Sequence, residues 1–310
     1  MNAHGLKRPM LVMRRAAAAL LLGALLTLKL SSPVLAEDRE EEARKPAGTV
    51  PNIYLDLRTT YATQPANALA IGLAGSSFLT TIQNLPTFPP GTAHPALASP
   101  ASQSVTVDVP LTVDVTDRIS VYGGISAGTS QAGPSGWSTL VVNSWNVGFQ
   151  ADLVKQNGGM IPTITLQTTV TTAVPNAPLP ATSFNTLLEF DYALNEDETR
   201  GLLAGIQYTR INVDSALAKV NPNTIGYVGG YYQWSNNWKL IGRVGVQAFE
   251  GARLLNVISL PAFTQPVARI DLDRMDDNDN RLFGLTAQFA WTPKLACQLT
   301  LRTPLYAIRN

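Results

Sequence analysis

Eight charged residues stand at alternate positions within apolar, β-branched runs: Asp108, Asp114, Asp152, Glu189, Asp191, Lys239, Arg243 and Arg302. In a strand, alternate side chains share a face. Each of these residues therefore keeps company with small polar neighbours, while Val, Leu, Ile and aromatic residues take the opposite face. Such mixed charges support two kinds of chemistry. Facing water inside a closed sheet, they line a polar path and discriminate among solutes. Paired with one another, they hydrogen-bond and hold a narrow, filled interior together. The residues leave both open.

Other chemistries find little footing. No histidine or serine motif accompanies the carboxylates, so hydrolysis is not supported and the chain does not read as an enzyme. There are two histidines, His4 and His94, and one cysteine, Cys297. That is too few for a metal cluster, a catalytic triad or an internal disulfide. No catalytic, cofactor-binding or metal-binding residue is assigned, and no cofactor. Asp271, Asp273, Asp276, Asp277 and Asp279 offer hard oxygen ligands of the kind Ca²⁺ takes. Their spacing lacks the glycine of a calcium-binding loop, and the cluster reads as a solvated outer loop. Cys297 falls in line with Leu295, Leu299 and Leu301 and reads as a small apolar residue. A formal net charge of +1 gives no electrostatic support for nucleic-acid binding.

The element that positions these residues is clearest over 102–129. Val105, Val107, Val109, Leu111, Val113 and Val115 alternate with Thr106, Asp108, Pro110, Thr112, Asp114 and Thr116. After Asp117 and Arg118 the alternation resumes with Ile119, Val121, Ile125 and Ala127. This is an antiparallel hairpin with strands of the length a membrane-crossing barrel needs, apolar toward lipid and polar within. The same pattern recurs in Trp145 to Leu153, before the turn Gln156-Asn157-Gly158-Gly159, and again in Ile164 to Val170. It returns in Phe184 to Leu194, Leu202 to Tyr208, Trp238 to Val246, and a final hairpin over 282–301. Residues 52–60 and 67–79 look strand-like. The stretch 224–234 is aromatic on both faces, and its outward side is not decided by pattern.

Connections sort by length. Short turns are expected at 116–118, 156–159, 195–199, 235–237 and 292–294, and long ones near 130–138, 174–183, 212–223 and 250–280. Transmembrane barrels have short turns at one rim and long loops at the other, whereas a soluble β-sandwich has no reason to sort them so. Trp145, Tyr192, Trp234, Trp238, Trp291 and Tyr306 suit the aromatic girdles of such a barrel.

The N-terminus carries Lys7, Arg8, Arg14 and Arg15, then an apolar run from Ala16 to Leu28 and a small-residue site at Val34-Leu35-Ala36. That is the layout of a cleaved secretory signal over 1–36. Residues 37–50 form a charged, coreless tail. The barrel occupies 51–310.

The run Val109-Pro110-Leu111 to Thr116-Asp117-Arg118, the segment from Trp145 to Pro162, and Arg302-Thr303-Pro304-Leu305-Tyr306 resemble the outer-membrane barrels named for the meta pathway of phenol degradation. The resemblance implies a roughly twelve-stranded barrel in the outer membrane, associated with transport of small or hydrophobic solutes. Its expected partners are outer-membrane lipid, the barrel assembly machinery and a small solute. The alternative is a non-conducting structural or adhesion barrel that displays its long loops. Members of that family continue past Pro-Leu-Tyr into one more strand. Ten strands are counted from Ser102, plus one rising strand before it. The expectation is thus an all-β, transmembrane, antiparallel up-and-down barrel of about 11–12 strands, which either lacks its last strand or hides one that the pattern does not reveal.

Overall fold

The computed structural model describes residues 51–65, 101–132, 136–174, 180–214, 218–254, 258–260, 262–276, 281–291 and 295–308. The leader, the charged tail, the strand expected near 67–79, His94, Pro178, Asp277 and Asp279 lie outside the described residues.

Alternation is converted into strands throughout. They are β1 (Asn52–Gln64), β2 (Ser102–Asp114), β3 (Ile119–Ala132), β4 (Val141–Val154), β5 (Thr163–Ala173), β6 (Ala181–Ala193) and β7 (Arg200–Val213). There follow β8 (Ala218–Val220), β9 (Asn223–Gln233), β10 (Trp238–Phe249), β11 (Ala252–Leu254) and β12 (Ile258–Leu260). The chain ends in β13 (Phe263–Met275), β14 (Arg281–Trp291) and β15 (Leu295–Ile308). Twelve of them close a barrel in the order β1-β15-β14-β13-β10-β9-β7-β6-β5-β4-β3-β2, and β12-β11-β8 form a small separate sheet.

The barrel is closed by an antiparallel ladder between β1 and β15, in which Thr59 faces Leu301 and Tyr61 faces Leu299. The expected missing strand and its seam are therefore not found. The missed strand is β13, placed inside what the sequence suggested was one long connection over 249–280. Its outward row holds Ala268, Ile270 and Leu272, but its inward row holds Gln265, Arg269, Asp271 and Asp273. Charge at every second position imitates a loop. With β13 counted, strand parity is restored and both ends of the barrel domain meet one rim.

That rim, here the turn rim, carries the connections at 115–118, 155–162, 194–199 and 234–237, with the end of β13 and the start of β14 beside them. The loop rim carries the others. Asp117, Gly158 and Asn236 share the turn rim, and Ala132 stands at the other, as their connections suggested. Two assignments are corrected. The β14–β15 pair meets at the loop rim, where a turn-rim connection was expected, and the β13–β14 pair meets at the turn rim, where a loop-rim connection was expected, because the extra strand inverts the sense of the chain after residue 263.

Outward faces are apolar and exposed. Ile125, Val147, Leu202, Val228, Val244, Ile270 and Leu299 form a belt, with Val244 60% exposed. In water such a belt would drive aggregation; against lipid it is solvated. Outward aromatics gather near the two rims: Trp145, Tyr208 and Trp291 toward the loop rim, and Tyr192, Tyr232 and Trp234 toward the turn rim. The ambiguity over 224–234 is resolved with Tyr227 and Tyr231 inward and buried, and Tyr232 and Trp234 outward. Pro110, which has no N–H to give, sits inward where the β1–β2 ladder skips from Leu55–Leu111 to Arg58–Asp108.

Candidate functional site

Twelve strands spaced about 4.8 Å apart and tilted by about 40° enclose a lumen about 24 Å across between backbones. What fills it is set by the inward row of each strand. Among the described strand residues, every inward charge lies at the strand midpoint or between it and the turn rim. The loop-rim half is lined by hydroxyls and amides such as Ser104, Thr106, Ser126, Thr171, Ser183, Gln207, Asn223, Gln247 and Gln265. Three of these amides form a relay. Gln265 Nε2 donates to Gln247 Oε1 at 2.8 Å, and Gln247 Nε2 donates to Asn223 Oδ1 at 2.8 Å, crossing β13, β10 and β9.

The eight sequence-selected residues divide into two groups. On β2 to β5 each carboxylate is held by a hydroxyl directly opposite it in the ladder. Ser126 donates to Asp108. Ser120 donates to Asp114 at 2.6 Å, and Thr165 to Asp152 at 2.8 Å. On the other side of the lumen, charges meet charges. Arg243 Nε lies 3.1 Å from Glu189 Oε2, and its Nη1 lies 2.9 Å from Asp271 Oδ2. Lys239 Nζ stands 4.7 Å over the Tyr231 ring, whose hydroxyl bonds Asp191. Arg302 pairs with Asp56 across the closing β15–β1 ladder, and Arg58 lies 3.9 Å from the same carboxylate.

Several members of this network were not singled out from sequence. Asp56 and Arg58 occupy the polar positions of β1, so alternation alone marks them. Asp271 and Asp273 are corrected from a solvated outer loop to the barrel wall. Asp271 accepts from Arg269 at 2.7 Å, from Thr286 at 2.6 Å and from Arg243. Asp273 pairs with Arg281 at 2.8 Å. With these cations as partners, the two carboxylates are occupied by protein donors. No group of three or more metal-ligating side chains occurs among the described residues.

Tyrosines brace the charged tier by a repeated device. Tyr227 on β9 lies across Gly205 on β7 to donate to Glu189 on β6. A Cβ built on Gly205 would fall 2.5 Å from Tyr227 Cζ, and one on Gly201 would fall 2.5 Å from Tyr231 Cζ. Tyr122 on β3 likewise passes over Gly148 on β4 to reach Thr169 Oγ1 on β5 at 2.6 Å. In each case the glycine removes a side chain from the middle strand, and an aromatic ring covers its exposed backbone. Nearer the loop rim, Ile225, Tyr227, Val267 and Ala290 pack as an apolar cluster with Leu187 against it. On β1 to β5 the inward row includes the small side chains Ser104, Thr112 and Asn146, which are half-buried, beside Asp56, Ser126 and Ser144, which are buried.

No protein-family model and no curated protein matches this sequence. Among solved structures, the chain is similar to the COG4313 outer membrane channel from Pseudomonas putida F1, with 10% identity and a TM-score of 0.53 over 84% of this chain and 97% of that one. The fold is that of an outer-membrane β-barrel. Looser superpositions, which carry no weight, include the translocator domain of autotransporter NalP from Neisseria meningitidis, at 13% identity and a TM-score of 0.43 over 94% of this chain and 97% of that one. Another is the P. putida toluene transporter TodX, at 12% identity and 0.34, over 81% and 87%.

Proposed function

We propose that this chain is an outer-membrane channel for small solutes, exported by a cleaved signal and inserted through the barrel assembly machinery. The observation that carries the proposal is the inward face. A barrel about 24 Å wide is broader than the eight-stranded barrels that side chains fill. Its inward rows offer hydroxyls and amides toward the loop rim and charges toward the turn rim, with Ser104, Thr112 and Asn146 on β2 to β4 half-buried. Hydrogen-bonding groups that face water replace part of a solute's hydration as it passes. In this reading Asp108, Asp114 and Asp152 line the open side. Glu189, Asp191, Lys239, Arg243 and Arg302 line the braced side. The exposed apolar belt supplies the contact with lipid. The sequence resemblance to the barrels named for the meta pathway of phenol degradation points the same way and extends the solute range to hydrophobic compounds.

A second reading, a non-conducting structural or adhesion barrel, draws on the packed cluster of Ile225, Tyr227, Val267 and Ala290. Swelling of liposomes containing the refolded protein separates the two. Swelling in isosmotic arabinose faster than in protein-free vesicles is expected. Swelling equal to that of empty vesicles, with heat-modifiable migration proving the barrel folded, would favour the structural reading.

A further inference from the structure

The inward charges are sorted by sign around the barrel. From β2 to β6, five neighbouring strands carry Asp108, Asp114, Asp152, Glu189 and Asp191 and, among the described residues, no inward cation. The inward rows of β7 and β9 carry no charge. The remaining five, β10, β13, β14, β15 and β1, carry every inward cation among the described residues: Lys239, Arg243, Arg269, Arg281, Arg302 and Arg58. Arg281 belongs with them because it folds over inward-facing Gly284, where a Cβ would lie 3.2 Å from its Cδ. Only three carboxylates share this second arc: Asp56, Asp271 and Asp273. Six cations less three carboxylates leave it three positive charges, against five negative on the first arc. In the ring of twelve, β4 stands six strands from β13, so the two arcs face each other across the lumen.

The two arcs also hold their charges differently. Asp108, Asp114 and Asp152 accept from the hydroxyls of Ser126, Ser120 and Thr165, donors that bring no compensating charge. On the opposite arc the carboxylates lie against the wall and the guanidiniums stand forward. The side chains of Asp56, Asp271 and Asp273 are 5%, 7% and 8% exposed, and those of Arg302, Arg269 and Arg281 are 30%, 26% and 29%. Arg58 stands farthest out, at 40%. Its ion pair with Asp56 is 3.9 Å long, beyond hydrogen-bonding distance, and Arg302 already holds that carboxylate. Arg302 is also directly opposite Arg58 in the closing ladder, a placement in which like charges repel. Asp108, opposite Arg58 on the other side, is engaged by Ser126. Among the described residues one ion pair joins the arcs, Glu189 to Arg243.

A water-filled lumen between low-dielectric walls concentrates the field of such an arrangement. A solute with a single charge is drawn to one wall and repelled by the other. A solute with both charges gains at both walls once it is aligned, and a neutral one gains little.

We propose that this transverse separation of charge selects small zwitterions of the amino-acid type. Their anionic group turns toward Arg58 and Arg302, and their cationic group toward Asp108, Asp114 and Asp152. The proposal rests on the channel reading and names the class of solute.

The test compares two isomers of equal size, zwitterionic alanine and neutral lactamide, in swelling of liposomes that contain the full-length protein. In dilute buffer, at about 10 mM ionic strength, the Debye length is about 30 Å and the field is not screened within the lumen. Two variants keep the net charge. Arg58→Gln/Asp152→Asn removes one charge from each arc, and Arg281→Gln/Asp273→Asn removes a pair from a single arc. The wild type is expected to admit alanine faster than lactamide by about twofold or more. That ratio should fall toward one in the cross-lumen variant and persist in the single-arc variant. Arg58→Gln alone, at the arginine with the longest ion pair, serves if the cross-lumen variant does not fold on heat-modifiable electrophoresis. Equal rates for the two isomers in the wild type would overturn the inference and leave the channel reading standing. A ratio that falls in both variants alike, or in neither, would overturn the transverse arrangement as its cause. A folded wild type that admits neither solute would overturn the channel reading and the inference with it.

Discussion

Replacing Gly205 with alanine tests the glycine–tyrosine brace directly. The new Cβ would lie 2.5 Å from both Cζ and Oη of Tyr227, well inside van der Waals contact. The methyl is on the wall and cannot move without moving β7, so the ring must. Tyr227 is 6% exposed, and its neighbours Ile225 and Val267 leave it little room. Overpacking of this kind costs about 1–3 kcal/mol. Displacing the hydroxyl also forfeits a hydrogen bond to a charged group, worth roughly 1.5–3 kcal/mol when intact. Because a shifted ring keeps part of either contact, the expected total is about 2–4 kcal/mol. The assay is urea unfolding in lipid vesicles, followed by tryptophan fluorescence. In a Tyr227→Ala background there is no ring to displace, and the same substitution should cost less than about 1 kcal/mol, leaving a coupling near the upper range for contacting residues. Gly226→Ala is the control, since a Cβ there meets nothing within 4 Å and points to lipid. Equal costs for Gly205→Ala in both backgrounds, or a comparable cost at Gly226, would refute the brace.

Register and closure give further expectations. Val107 faces lipid near the middle of β2, so Val107→Asp should cost about 2 kcal/mol and lower the folded fraction on heat-modifiable electrophoresis, whereas Thr106→Asp should be tolerated. Equal effects at the two sites would refute the register. Asp56→Ala leaves Arg302 without its partner at the closing ladder and should destabilise by about 3 kcal/mol, with Arg302→Met in the same chain restoring part of the loss, both read in urea unfolding. Asp271→Asn weakens three donors' shared acceptor and should lower the unfolding midpoint more than Asp114→Asn, whose carboxylate accepts from the Ser120 hydroxyl.

The sequence spoke most clearly where one face was uniformly apolar. In β2 the row of valines fixed strand, face and register together, because a one-residue slip would turn Asp108 and Asp114 into lipid. It was misleading in β13. There the inward row is mostly amide and charge, the outward row begins with Thr264 and Pro266, and nothing local distinguishes a lumen-facing arginine from a solvated one. What makes Arg269, Asp271 and Asp273 tolerable inside a wall is their partners on β10 and β14, which only the fold brings near. The parity error and the misplaced 292–294 turn both followed from that one strand. Glu189 and Arg243 were each legible as inward charges, yet their meeting depends on two intervening strands and on the glycine at 205. The tyrosines of β9 could not be oriented by pattern, since aromatic residues suit both a lipid girdle and a lumen brace.

The central claim is that solutes pass through this lumen, along the β1–β5 side. Its most direct test is a cysteine scan under current recording in planar bilayers. With Cys297 replaced by serine, Ser104→Cys places a thiol on the inward row of β2, and Val107→Cys places one toward lipid. A water-soluble, bulky, charged thiol reagent is then added to either chamber. Steady single-channel steps that fall on reagent addition at position 104 and persist at position 107 are predicted. Absence of any current from the folded protein, or current indifferent to modification at 104, would contradict the account.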